Sequence, residues 1–138
     1  MNIENNKSKI YKSEHDMVYS CQYHVIFCPK YRRKILSGSI EARLRELILE
    51  KQIEYGYNIL EMEIMPDHIH LLIDVNPKTG IYKTICKIKG YTSNILRSEF
   101  KQLRSRLPTL WTRSKFISTV GSVSLDVVKR YIEEQKSK

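Results

Sequence analysis

Two histidines and a tyrosine–glutamine pair are the residues of this chain best suited by type and spacing to chemistry. His68 and His70 open the segment HIHLLIDV, and Tyr131 and Gln135 stand four apart near the C-terminus. Read as a strand, HIHLLIDV puts His68, His70, Leu72 and Asp74 on one face and Ile69, Leu71, Ile73 and Val75 on the other. The second face is wholly apolar and belongs against a core, so the imidazoles point away from it. They lie about 6.5–7 Å apart along the strand, close enough to converge on one metal ion. Asp74 shares their face, either assisting a ligand or ending the strand. On a helix, the Tyr131 hydroxyl and the Gln135 amide project from the same side one turn apart. If that helix lies across the open sheet face, His68, His70 and the Gln135 carbonyl oxygen supply three ligands to a divalent ion and leave Tyr131 beside it. Each part alone has a plainer explanation: a hairpin histidine, a packed tyrosine, a solvated glutamine.

These residues need elements to position them, and the pattern supplies a consistent set. Residues 18–28 (VYSCQYHVIFC) are rich in β-branched and aromatic side chains and end at Pro29, as a strand does. Residues 30–34 (KYRRK) form a basic turn. Ile40, Leu44, Leu47, Ile48 and Tyr55 recur at helical spacing and predict a helix to about Gly56. Residues 57–65 and 68–75, joined by Pro66 and Asp67, predict a hairpin. Ile81, Ile85, Ile88, Ile95 and Phe100 mark a long helix, in which Gly90 costs about 1 kcal/mol relative to Ala and calls for an offset from packing or a close ligand. Residues 101–114 carry no assignable pattern. Residues 116–120 predict a short strand, and Ser124 suits the cap of a last helix to about Lys136. The order β-α-β-β-α-β-α predicts an α+β, ferredoxin-like (RRM-like) antiparallel sheet with helices on one face, plus a C-terminal helix carrying the tyrosine. Residues 1–15, polar and aperiodic, predict a loose arm, and residues 16–138 a single domain.

The 138 residues hold 24 Lys and Arg against 15 Asp and Glu, a net charge of +9. Such an excess points to an anionic partner, most commonly nucleic acid. No apolar run approaches the roughly 20 residues that span a bilayer, and no signal-peptide core is present, so no membrane partner and a cytoplasmic location are expected. Cys21, Cys28 and Cys86 suit reduced thiols. Zinc at Cys21, His24 and Cys28 is disfavoured, because strand alternation sets Cys21 opposite the other two. Lys30, Arg32, Arg33 and Lys34 form one basic cluster, Lys83, Lys87 and Lys89 a second, and Arg97, Lys101, Arg104 and Arg106 a third. Lys30, Arg32, Arg33, Lys34, Lys83, Lys87, Arg97 and Arg104 are the expected contacts to nucleic-acid phosphates. Tyr31, Tyr91 and Trp111 lie among these charges and are candidates to stack unpaired bases.

At His68-Ile69-His70, at Pro66-Asp67 just before it, and at Tyr131-Ile132-Glu133-Glu134-Gln135, the sequence resembles the single-tyrosine HUH transposases of small bacterial and archaeal insertion sequences. Tyr23-His24-Val25 through Pro29-Lys30-Tyr31-Arg32-Arg33, Pro108-Thr109-Leu110-Trp111 and Phe116-Ile117-Ser118-Thr119-Val120-Gly121 share the family's texture. The resemblance covers nearly everything after the arm and makes 16–138 an HUH transposase catalytic domain. It implies an enzyme that binds hairpin-containing single-stranded DNA ends of an insertion sequence and cuts and rejoins them through Tyr131, with His68, His70 and Gln135 holding the cation. It implies a homodimer in which the tyrosine helix is exchanged between subunits. By ligand softness alone, two imidazoles and an amide suit manganese, nickel, cobalt or zinc, and the resemblance tilts the choice to Mg2+ or Mn2+. A phenol titrates near pH 10, so its proton needs an acceptor, the ion itself or a base such as Lys129.

Two other functions fit the same residues. A non-catalytic RNA- or single-stranded-DNA-binding module would use the sheet and its aromatics and leave His68, His70 and Gln135 idle. A hydrolytic metal-dependent nuclease would use the ion and water, with Tyr131 only packing. A third option lies inside the same family, relatives tied to repeated palindromes or plasmid and viral initiators that share the HUH site; the small size and lone tyrosine near the C-terminus suit a transposase better than large relaxases.

Overall fold

The computed structural model describes residues 12–14, 17–120 and 125–137, with side chains over 18–120 and 129–136. Of residues 1–15, the segment β1 (Lys12–Glu14) pairs antiparallel with β2 (Met17–Tyr19), and the others lie outside the described residues, as does the expected Ser124 cap. The strand expected over 18–28 is split, its second part being β3 (Gln22–Phe27). There follow α1 (Gly38–Glu50), the single turn α2 (Gln52–Tyr55), β4 (Tyr57–Met65), β5 (His68–Val75), α3 (Ile81–Glu99), α4 (Lys101–Arg106), β6 (Phe116–Thr119) and α5 (Leu125–Glu134). The expected first helix is thus broken at Lys51 and ends at Gly56, whose φ of 74° is a left-handed cap that suits glycine.

One antiparallel sheet of order β4-β5-β3-β6 carries the fold, the ferredoxin-like arrangement expected from the element order. The apolar side of β5 is fully covered: Ile69, Leu71 and Ile73 have no exposure and Val75 has 1%. They meet Val25 and Phe27 of β3, Ile40, Leu44, Leu47 and Ile48 of α1, and Ile85, Ile88 and Leu96 of α3 in one core. Burying each such side chain stabilises the fold by about 1.5–3 kcal/mol, so the register of β5 is tightly specified; a slip of one residue would send His68 and His70 into the core. In that register His70 lies between Ile26 of β3 and Glu63 of β4, and His68 opposite Met65.

The unassigned stretch 101–114 resolves into α4 and an extended segment held by main-chain contacts with the end of β3. Lys30 N donates to Leu110 O (2.8 Å) and Thr112 N to Cys28 O (3.0 Å). Trp111 is 5% exposed, donates its indole N–H to Thr92 Oγ1 at 3.0 Å and meets Phe27 edge-on. It is a core residue, and the expectation that it stacks bases is withdrawn. Gly90 is exposed, and no described atom lies within 4 Å of where a Cβ would stand, so neither packing nor a close neighbour offsets its cost.

Candidate active site

The sheet face opposite α1 and α3 carries the histidines, each with one ring nitrogen engaged. Nδ1 of His68 lies 2.9 Å from Asp67 Oδ1, and the other oxygen of that carboxylate takes Arg32 Nε at 2.9 Å. An ionised carboxylate only accepts, so the proton resides on His68 Nδ1 and the lone pair of Nε2 is left for a cation. Nε2 of His70 lies 3.1 Å from Nδ1 of His24 on the adjacent strand β3, the rings 5.3 Å apart and tilted. Burial, reinforced by His24, lowers the pKa of His70, which favours the neutral imidazole a metal requires. Glu61, Met62, Glu63 and Leu72 line a cavity of about 370 Å³ beside it. Asp74 is buried and accepts the Cys21 N–H (3.2 Å), so its visible task is to hold the entry into β3.

Helix α5 packs on this same face. The Tyr131 ring lies 5.3 Å from that of Phe116, which shares a sheet row with Ile26 and His70. The Tyr131 hydroxyl is 2.9 Å from Ser114 Oγ; burial pushes its pKa up to about 12, against a smaller opposing effect of the Ser114 hydrogen bond. Gln135 opens the final turn, Gln135–Ser137, which packs against the turn Lys30–Arg32. Its side chain is 1% exposed, its Nε2 donates to Tyr131 O at 3.2 Å, and its Oε1 is buried with no hydrogen-bond partner among the described residues. A buried orphan acceptor costs about 1–3 kcal/mol unless something completes it. A cation held with His68 and His70 would do so, and two imidazoles with an amide oxygen form a donor set that suits a borderline divalent ion such as Mn2+.

Arg32 joins the two halves. Besides Asp67, its Nη1 donates to Ile132 O (2.9 Å), a last-turn carbonyl of α5, and approaches Glu133 at 3.7 Å. Tyr31 and Arg32 both adopt left-handed backbone, φ 60° and 50°, and at Arg32 that turn directs the side chain inward.

The sequence matches a family model described as IS200-like transposase over residues 17–135. The chain belongs to the IS200-like transposase family. It is 32% identical over 123 residues to the ISDra2 transposase TnpA of Deinococcus radiodurans, covering 88% of each chain. It is 34% identical over 124 residues to the transposase for insertion sequence element IS200 of Salmonella typhimurium, covering 86% of this chain and 81% of that one. A Deinococcus radiodurans crystal structure described as a transposase superposes with a TM-score of 0.83 at 27% identity, over 92% of this chain and 99% of that one. A REP-associated tyrosine transposase bound to a REP hairpin shares the fold, with a TM-score of 0.55 at 13% identity over 88% of this chain and 69% of that one.

The basic side chains of this transposase divide into three groups. Lys30, Arg33 and Lys34 lie at the end of β3 nearest His68, where Leu36 N bonds Pro66 O. Lys30 and Arg33 flank the exposed Tyr31 ring. Arg33 and Lys34 also border a cavity of about 480 Å³ reached by Arg106. Arg32 and Arg97 turn inward instead: Arg32 as above, Arg97 onto Leu107 O at 3.0 Å. Both are thus engaged within the chain, while Arg33 and Lys34 are exposed and Lys30 is half-buried. Lys83 and Lys87 sit on the exposed side of α3, and Arg104 on that of α4, outside the layer that covers the apolar sheet face. Of the other candidates, Tyr91 bonds Glu50 through its hydroxyl and packs edge-on against Tyr55, and Lys129 is exposed. Asp67 and His24 enter the sequence reading only as turn or motif residues and, for His24, in a disfavoured zinc cluster, and Ser114 lies in the unassigned stretch, so their contacts with candidate site residues were not expected from sequence. Among the described residues no helix is long and apolar enough to cross a membrane.

Proposed function

We propose that this transposase binds hairpin-containing single-stranded DNA at the ends of an insertion sequence and cuts and rejoins it through a 5′-phosphotyrosine on Tyr131, using a divalent cation, Mg2+ or Mn2+. The observation that carries the reading is the buried Oε1 of Gln135, without a hydrogen-bond partner among the described residues, in the turn that ends the helix bearing Tyr131, whose ring meets Phe116 on the sheet side of His70. The hairpin in the REP-associated relative supports the form of DNA.

His68, His70 and Gln135 would hold the cation, which when bound polarises the scissile phosphate and stabilises the departing 3′ oxygen. Tyr131 Oη attacks phosphorus in line, the bond to the 3′ oxygen breaks, and a free 3′-OH and a 5′-phosphotyrosine result. Attack of a 3′-OH on that linkage reverses the exchange and releases the phenol, so the bond energy is conserved and no nucleotide cofactor is consumed. With its pKa near 12, Tyr131 rests protonated, and the proton must leave as the new bond forms. Tyr31 offers an exposed ring for an unpaired base, with Lys30, Arg33 and Lys34 for phosphates. The homodimer with exchanged helices belongs to this proposal; exchange would release the contacts of Arg32 with Ile132 and Glu133.

The test is a labelled single-stranded element end with its hairpin, incubated with protein and Mn2+ and run on a denaturing gel. A covalent protein–DNA adduct is expected for the wild type and none for Tyr131→Phe. Cutting that survives in Tyr131→Phe identifies a hydrolytic nuclease, and binding with neither adduct nor cutting identifies a non-catalytic module.

A further inference from the structure

Each histidine of the face has a different polar neighbour. His68 has Asp67, braced by Arg32. His70 has no carboxylate within hydrogen-bond range among its recorded contacts; its Nε2 meets His24 Nδ1 at 3.1 Å. That separation is a nitrogen–nitrogen hydrogen bond, with one ring giving the proton and the other the lone pair. When His70 Nε2–H donates to His24 Nδ1, the pair holds His70 in one tautomer, sets the rotation of its ring and leaves the lone pair of its Nδ1 for a cation.

His24 is suited to this by position. It lies opposite Leu72 on β5 and Ser118 on β6, so it approaches His70 diagonally, from the side away from His68. Its neighbours Val25, Ile26 and Phe27 have no exposure, which fixes the strand that carries it.

We propose that His24 is a positioning residue of the metal site, orienting His70 as Asp67 orients His68. The inference rests on the reading that His68 and His70 hold the cation. Loss of such an outer partner lowers metal affinity by about ten- to a hundredfold.

The full chain, stripped of metal and free of DNA, is titrated with Mn2+ by calorimetry. His24→Ala is expected to bind Mn2+ more weakly by about that factor, while His24→Gln, whose amide can give or take the hydrogen bond, recovers most of the affinity. Nitrogen-15 spectra of the metal-free protein are expected to show one neutral tautomer for His70 in the wild type and a mixture in His24→Ala. Mn2+ binding by His24→Ala equal to wild type, with His70→Ala abolishing it, overturns the inference and leaves the metal site standing. Wild-type Mn2+ binding by both His68→Ala and His70→Ala overturns the metal reading and this inference together. Spin-echo spectra that show an imidazole nitrogen lost from bound Mn2+ in His24→Ala make His24 a ligand and overturn the positioning role.

Discussion

Replacing Arg32 by alanine removes a side chain that contacts both halves of the candidate site. The guanidinium holds Asp67 at 2.9 Å and Ile132 O at 2.9 Å, with side-chain exposures of 12% for Arg32 and 15% for Asp67. Removing one partner of a fully buried ion pair costs about 3–5 kcal/mol. Water still reaches this pair, so about 2–3 kcal/mol is the appropriate expectation for Arg32→Ala. Arg32→Gly loses the same contacts, yet φ at this position is 50°, where a side chain costs about 1–2 kcal/mol that glycine escapes. The glycine variant should therefore be more stable than the alanine variant by roughly 1 kcal/mol. Urea unfolding followed through the single, buried Trp111 measures both midpoints. DNA cleavage should fall in both variants alike, because each leaves Asp67 and α5 without their shared partner. A wild-type midpoint for Arg32→Ala, or a glycine variant less stable than the alanine one, would refute the assignment of strain and contact to this residue.

Two further outcomes follow from residues away from the histidines. Gly90→Ala should raise stability by about 0.5–1 kcal/mol, read as a higher urea midpoint with cleavage unchanged, since the added methyl meets open space. Burial, with Lys115 as a lesser cause, lowers Lys89 from 10.5 to about 8, so between those values the unfolded chain binds the extra proton and stability climbs with pH. That contribution is lost as pH falls through about 8; thermal melts of Lys89→Met should lack this slope.

The features legible in sequence are those that repeat locally. The period-two alternation of HIHLLIDV identified both the core side of β5 and the histidine side, and the core side proved fully buried. The i, i+4 spacing of Tyr131 and Gln135 named the helix that lies on the histidine side. Residues 101–114 were illegible because their order comes from distant partners, the main chain at Cys28 and Lys30 and the Thr92 hydroxyl. Within KYRRK the cations look alike in sequence; a left-handed backbone with no glycine to announce it sends Arg32 inward and leaves Arg33 exposed. His24 enters the sequence reading only with the disfavoured cysteine cluster and the family motif; strand parity says which face it occupies but not which strand lies beside it.

The two halves of the site are held by different forces, and this bears on how cleavage is controlled. His68 and His70 ride a central strand paired on both sides and backed by the core, so their spacing persists until the domain unfolds. Around Tyr131 and Gln135, contacts among the described residues include Arg32 to Ile132 and Glu133, Ser114 to the phenol, the Phe116 ring, and the packing of Gln135–Ser137 on Lys30–Arg32. Polar contacts of this kind contribute about 0.5–3 kcal/mol each, so the docking of α5 can change while the core stays intact. If Gln135 completes the cation's ligand set as proposed, undocking α5 removes a ligand and the nucleophile together. Cation affinity and nucleophile position are then coupled through a single helix, and neither half of the site is competent without the other.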